Sequence, residues 1–408
     1  MSTPQPLLKI KSKYILCEIL SNLLQIRLLK LIKYNKNMQK KLDINYIKKY
    51  KMIEIEIIPD DSFGQFINID EKNDKYYHVY FNDNNEEKKV KKIVSTDKVK
   101  KIRIILDYEI KSFFHLFMDC CCNKKIIFKN FIRNDINNMR GMFYNCKMLK
   151  YIDLSEFRTE NVTDMCSMFS NCPLEAIDLS SFNACNVTDI SFMFSGNKFL
   201  KSIDLSKFNA KKITKMFGTF SQCISLKSIN LTGLDTQEVK DMCMLFNCCK
   251  SLKSIDLSNF NTQNVEIMTA MFADCKTLTS ICIPNFNTQN VLYMNSMFSG
   301  CEAVKEINIS NFDTKNVRYM QSMFSGCKAI KEINVLNFDT ENVEFMDYML
   351  HKCSSLKLID ISNFTFENVF VEYMFSNCSN ELKMKIKTQN MNIREEAFKD
   401  SFDNNNIF

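Results

Sequence analysis

Carboxylates and amines recur in this chain at fixed intervals, and these are the side chains that could do chemistry. Asp153, Asp178, Asp204, Asp256 and Asp360 occupy one position of a repeated unit, taken by Asn230, Asn308 and Asn334 in other copies and by Cys282 in one. Three residues ahead of that position stand Lys150, Lys201, Lys227, Lys253, Lys305, Lys331 and Lys357. If the position lies on a strand between two core residues, it faces outward, with like side chains ~4.8 Å apart from copy to copy. Carboxylates stacked so closely repel, which raises some of their pKa values or attracts a cation. The lysine column offers the alternative, mutual neutralisation of two solvated ladders. The functional reading is a charged stripe that recognises a protein through Asp153, Asp178, Asp204, Asp256, Lys201, Lys227, Lys253, Lys305 and Lys331.

The sulfur side chains are as regular. Of 18 Cys, nine share one register: Cys146, Cys172, Cys223, Cys249, Cys275, Cys301, Cys327, Cys353 and Cys378. One Cys per copy reads as a ladder of small buried side chains. Asn197 replaces it once, so disulfide pairing is not essential. Met at helical spacing (Met268, Met271 and their equivalents) reads as core, not as a soft-metal site. No C-x-x-C occurs, and His is limited to His78, His115 and His351, so no metal or other cofactor is expected. A phosphate-binding glycine loop, an H-E-x-x-H and a nucleophile elbow are all missing. The chain is therefore expected to be non-enzymatic.

What must position these residues is a period. Phe117, Phe143, Phe169, Phe194, Phe220, Phe246, Phe272, Phe298 and Phe324, then Leu350 and Phe375, follow one another at 26 residues, with two steps of 25. Such self-similarity means stacked repeats. Within a copy, Ile255 and Leu257 are two apart, as a strand requires, while Val265, Met268, Met271 and Phe272 share one helical face. Thr262 and Asn264 precede that face and are N-cap types. A single copy buries too little apolar surface to fold alone, so neighbours must stack.

Four segments are expected. Residues 1–50 carry eleven Lys/Arg against Glu18 and Asp43 and read as basic helices with a solvated face. Residues 51–106 alternate, for example at Ile53-Glu54-Ile55-Glu56-Ile57, and read as a small β-rich module. Residues 107–378 are the array of about 11 copies. Residues 379–408 give a C-terminal cap, with a closing strand through Leu382, Met384 and Ile386 and a polar helix near Ile393–Phe402. The 18-residue apolar run of a membrane span is missing. The run near Tyr14–Leu24 holds Glu18 and lacks a small-residue cleavage site, and Cys17 follows Ile15-Leu16. A cytoplasmic location is expected, with surface display as the runner-up.

The unit Phe-x-x-Cys-x-x-Leu-x-x-Ile-Asp-Leu-Ser-x-Phe-Asn-Thr-x-Asn-Val-x-x-Met-x-x-Met-Phe resembles the 26-residue bacterial-surface-protein repeat, a BspA-like branch of the leucine-rich repeats. The resemblance covers residues 107–380. It implies an α/β solenoid, a right-handed array of short parallel strands and helices, used for binding; many relatives are secreted or lipid-anchored adhesins. The Leu-rich stretch Glu18 to Leu31 resembles an F-box in outline, without its Leu-Pro start or terminal Trp, and the alternative is a helical cap over the open end of the array. The expected function is a monomeric protein-interaction scaffold with no nucleic-acid partner and no membrane span, although the basic block of residues 1–50 could touch membrane or nucleic acid. A ubiquitin-ligase substrate adaptor and a surface adhesin are the alternatives.

Overall fold

A computed structural model describes residues 52–131 and 133–400. The basic segment 1–50, with its F-box-like outline, lies outside the described residues. The chain then forms a six-stranded sheet of order β4-β3-β6-β1-β7-β8. Its members are β1 (Ile53–Pro59), β3 (Tyr77–Phe81), β4 (Glu87–Lys88), β6 (Ile102–Leu106), β7 (Asn123–Lys129) and β8 (Tyr151–Asp153). A small pair, β2 (Gly64–Gln65) and β5 (Lys92–Ile93), flanks it. Alternation sets the register. Ile53, Ile55 and Ile57 are fully buried and sit opposite Leu106, Ile104 and Ile102. On the other side, β1 runs antiparallel to β7, with Ile55 opposite Phe128 and Ile57 opposite Ile126. β7 belongs to the first 26-residue rung, so β1 covers the open end of the array with its own backbone.

From there the chain winds in successive rungs, each hydrogen-bonded to the next in parallel register. Short strands mark one side: β9 (Ser202–Asp204) pairs with β10 (Ser228–Asn230), β11 (Ser254–Asp256) with β12 (Ser280–Cys282), and β13 (Glu332–Ile333) with β14 (Leu358–Ile359). In β9 and β11 the middle Ile is buried and both neighbours are exposed. On the opposite side, single parallel bridges link Ser112 through Asn138, Asp164, Asp189, Lys215, Asp241, Ile267, Tyr293, Tyr319 and Phe345 to Phe370.

The helical half expected in each repeat is not a helix. Residues 266–275 form tandem turns. The backbone N–H groups of Met271, Ala273 and Cys275 close local turns onto Met268, Ala270 and Phe272. Those of Met268, Ala270, Phe272 and Asp274 instead donate to Tyr293, Asn295, Met297 and Ser299 of the next rung at 2.7–2.9 Å. Ala270 (φ 53) and Asp274 (φ 57) are left-handed, which breaks any i to i−4 ladder and turns alternate N–H groups along the stack. The residue before each ladder Cys repeats that conformation, at Asn145, Asn171, Gln222, Cys248, Gly300, Gly326, Lys352 and Asn377. Asn, Asp and Gly tolerate it best.

The core is built of columns. Ring centroids of successive Phe from Phe117 to Phe324 lie 5.5–5.8 Å apart with planes within 13° of parallel. Met268, Met271 and Val265 are fully buried beside them. Thr262, expected to cap a helix, clamps two rungs instead. Its hydroxyl accepts from the Asn287 N–H at 2.7 Å and donates to the Asn287 carbonyl at 2.9 Å. Thr159, Thr236, Thr288 and Thr314 repeat the pattern.

The C-terminal segment also departs from expectation. Leu382, Met384 and Ile386 lie on a helix, α1 (Asn380–Gln389), and not on a strand. The Ser379 hydroxyl caps it by accepting from the Leu382 N–H at 3.2 Å, and Glu381 pairs with Lys385 one turn on at 2.7 Å. Leu382 and Ile386 are buried, four apart on one face, while Met384 is exposed. The expected polar helix after Ile393 is a single 3-10 turn, Glu395–Phe398. That turn completes the last rung: Tyr373 and Phe375 donate to Glu396 and Ala397, and Phe398 stacks on Phe375 at 5.3 Å.

Candidate functional site

The recurrent aspartates face outward, as the strand register requires, but they are engaged. Asp178, Asp204 and Asp256 each accept the backbone N–H of the serine two residues on (Ser180, Ser206, Ser258) at 2.9 Å. Asp153 accepts both the N–H and the hydroxyl of Ser155. Asn230, Asn308 and Asn334 make the same turn. The position thus requires a short side chain with a carbonyl or carboxylate oxygen, the Asx-turn geometry that reverses the chain after the strand. The backbone N–H of the serine, followed by its hydroxyl, holds the carboxyls of Asp178, Asp204 and Asp256 below the usual aspartate range. The pKa rise expected from stacked carboxylates is therefore reversed at these three, because each carboxylate has its own donors. Asn230 and Cys282 also separate Asp256 from any carboxylate in the adjacent rungs.

No ion pair joins the lysine column to these aspartates among the described residues. Lys201, Lys227, Lys253, Lys305 and Lys331 are all exposed. Ion pairs in the middle of the array join Lys240 to Glu266, Lys276 and Lys328 to Glu302, and Arg318 to Glu344. Among the described residues none includes any of these five lysines. Their backbones are coupled rung to rung: Lys227 N–H donates to Lys201 O, and Thr279 N–H to Lys253 O, both at 2.8 Å. The strand face therefore carries exposed lysines on successive rungs, without ion pairs among the described residues, beside aspartates that are already engaged.

The cysteine ladder is structural in a way that its burial alone does not explain. Each thiol donates to the backbone carbonyl of the marker residue in the preceding rung, for example Cys172 to Phe143 at 3.0 Å and Cys301 to Phe272 at 3.2 Å, with Cys378 serving Leu350 at 3.1 Å. Where Asn197 stands, its amide donates to Phe169 O at 2.8 Å. The shared property is a compact donor aimed at a buried carbonyl. Burial pushes the Cys223 thiol up to about 12 and raises Cys249, Cys275, Cys301, Cys327 and Cys353 well above the ordinary range, so none is poised as a nucleophile. No group of three or more His, Cys, Asp or Glu that could hold a metal ion is present among the described residues.

One column escaped the sequence reading. Tyr293, Tyr319, Phe345 and Phe370 stack at 4.8, 5.5 and 4.9 Å, half-exposed, on the side opposite the strands. Their faces are occupied by one another, so the column offers edges to solvent and no free stacking platform. The signal was present: Tyr293, Tyr319 and Phe345 stand just after the variable residue that follows Asn-Val, and Phe370 follows Asn368-Val369 directly.

These columns recur in a known family. The family described as "Mycoplasma protein of unknown function, DUF285" matches residues 111–229, 197–307 and 294–407, nearly three quarters of the chain. The chain belongs to the DUF285 family. No curated protein matches this DUF285 chain. Among solved structures, a crystal structure of a leucine-rich repeat protein from Bacteroides ovatus is similar at 16% identity, covering 76% of this chain and 90% of that one, with a TM-score of 0.32. No helix among the described residues of this DUF285 protein is long and apolar enough to cross a membrane.

Proposed function

We propose that this DUF285 protein is a non-enzymatic scaffold, a BspA-like leucine-rich-repeat solenoid that binds an acidic protein surface through its strand face. The observation that carries this reading is the column of exposed lysines, Lys201, Lys227 and Lys253 in one run and Lys305 and Lys331 in another, without a carboxylate partner. Lysines whose backbones are held on consecutive rungs form a positive stripe, which steers an acidic partner. Stacked repeats suit this role, since the backbone sets the spacing while exposed positions vary. A monomer in a reducing, cytoplasmic setting fits a thiol ladder that donates hydrogen bonds as free S–H; surface display, known among BspA-like relatives, is the alternative.

The test compares two double charge reversals of equal net charge. K227E/K253E alters the stripe, and K211E/K315E alters exposed lysines off the strands. A partner captured by the wild-type chain and by K211E/K315E, but lost with K227E/K253E and with rising salt, supports the reading. Equal capture by both variants, or no specific partner at all, overturns it.

A further inference from the structure

One of the two 25-residue steps, Phe169 to Phe194, has a defined origin. The linker from the ladder Cys to the strand Ile spans six positions in ordinary copies, as from Cys146 to Ile152 or Cys275 to Ile281, but five from Cys172 to Ile177. Beside the shortened linker lies an open notch of about 250 Å³, whose lining includes Asn145, Lys147, Asn171, Gly196, Lys198 and Phe199. Lys147 and Lys198 lie two rungs apart, on either side of Pro173, roughly 10 Å at the ~4.8 Å rung spacing.

The polar groups of the lining are the ammonium groups of Lys147 and Lys198 and the amides of Asn145 and Asn171, set in a surface that is otherwise apolar. Neither lysine is in an ion pair among the described residues. The Asn171 side chain makes no hydrogen bond within the described protein, while the Asn145 amide is taken by Asp119. Asn171 lies against Gly196 so closely that a Cβ there would sit 2.1 Å from its Oδ1. Gly196 thus leaves room for the Asn171 side chain. Phe199, 55% exposed, supplies an apolar wall beside the two ammonium groups. Two cations lining one notch suit an anion with oxygens in several directions, as a tetrahedral phosphate has, better than a planar carboxylate, which pairs with one fork.

We propose that this notch binds a small organic phosphate, its phosphate between Lys147 and Lys198 and its ring against Phe199. The site is separate from the lysine stripe of the strand face and does not depend on it.

Titration calorimetry on the whole chain, with inorganic phosphate, phenyl phosphate and benzoate as probes, decides the matter. Phenyl phosphate is expected to bind more tightly than inorganic phosphate, and benzoate least. K147M/K198M weakens both phosphates by at least about tenfold. F199A brings phenyl phosphate down to the level of inorganic phosphate and leaves the latter unchanged. A variant with one alanine inserted after Cys172, restoring the six-residue linker, loses phenyl phosphate binding. K147M/K198M also guards against misfolding of the insertion variant, since both substitutions are on the surface and a melting curve checks the fold. Unchanged phenyl phosphate affinity in folded K147M/K198M overturns the proposal. So does benzoate binding as tight as phenyl phosphate, or no saturable binding of phenyl phosphate.

Discussion

The thiol of Cys275 donates to the carbonyl of Phe246, 3.2 Å away in the preceding rung. Cys275→Val keeps the bulk and removes the donor, leaving a buried carbonyl short of a partner. The expected loss is about 1–3 kcal/mol in denaturant unfolding. Cys275→Ser, which keeps a donor, should cost less. Equal losses for the two variants would show that volume alone matters.

Asn197 poses the reverse case. Its amide serves Phe169 O, but its own Oδ1 is buried without a partner. Asn197→Cys removes that orphan acceptor while keeping a donor. The expectation is a gain of about 1 kcal/mol, read as a higher denaturant midpoint at an unchanged slope. A lower midpoint would mean that the amide contributes more than the geometry shows.

How much of this was legible in the sequence depends on the residue. The period, the Phe and Met core and the outward strand position could all be read, because apolar spacing reports burial directly. The cysteines read as small hydrophobes, which accounts for their burial but not for Asn197; a donor was the property that both share. Val265, Met268, Met271 and Phe272 have the spacing of a helical face, yet tandem turns bury the same positions. Only the left-handed φ just before each ladder Cys, at Asn, Asp or Gly in six of nine copies, distinguishes the two. At the C-terminus, Leu382, Met384 and Ile386 fit a period of two, whereas the Ser379 cap and the Leu382/Ile386 spacing fit the helix that forms. The notch could not be read from composition, since it lies beside a linker from which a residue is missing.

Thr288 provides a test of the inter-rung clamp. Its hydroxyl accepts from Asp313 N–H at 2.8 Å and donates to Asp313 O at 2.7 Å. Thr288→Val is nearly isosteric and removes both bonds, for an expected cost of about 2–3 kcal/mol. Thr288→Ser keeps them and should cost less. Chemical denaturation of the three proteins side by side separates the clamp from packing.

The turn aspartates predict a pH response of definite sign. Asp178, Asp204, Asp256 and Asp360 have folded-state pKa values below the unfolded value, chiefly because a serine N–H and hydroxyl favour the carboxylate. Their contribution is fully present above the ordinary aspartate pKa of about 4 and is lost as pH falls through the lower folded value. Melting temperature should therefore drop below about pH 4. Asp204→Asn and Asp256→Asn, which mimic Asn230, should flatten that drop. An unchanged acid limb in the double variant would place the response elsewhere.

Thiol accessibility should divide the cysteines sharply. Cys121 and Cys282 are exposed, whereas the ladder from Cys146 to Cys378 is buried. Alkylation of the native protein, mapped by mass spectrometry, should mark Cys121 and Cys282 first and reach the ladder only on unfolding. Rapid labelling of Cys249 or Cys301 in the native state would contradict the packing.

The shortened linker after Cys172 behaves as a dislocation does in a crystal. Across it the aromatic column continues, Phe169 to Phe194 at 5.8 Å and 13°, so the lattice of the core does not register the lost residue. The mismatch is absorbed entirely at the rim. A stack of this kind can therefore gain or lose single residues there without renegotiating its interior, and each such defect leaves a differently shaped surface hollow at a chosen height along the axis.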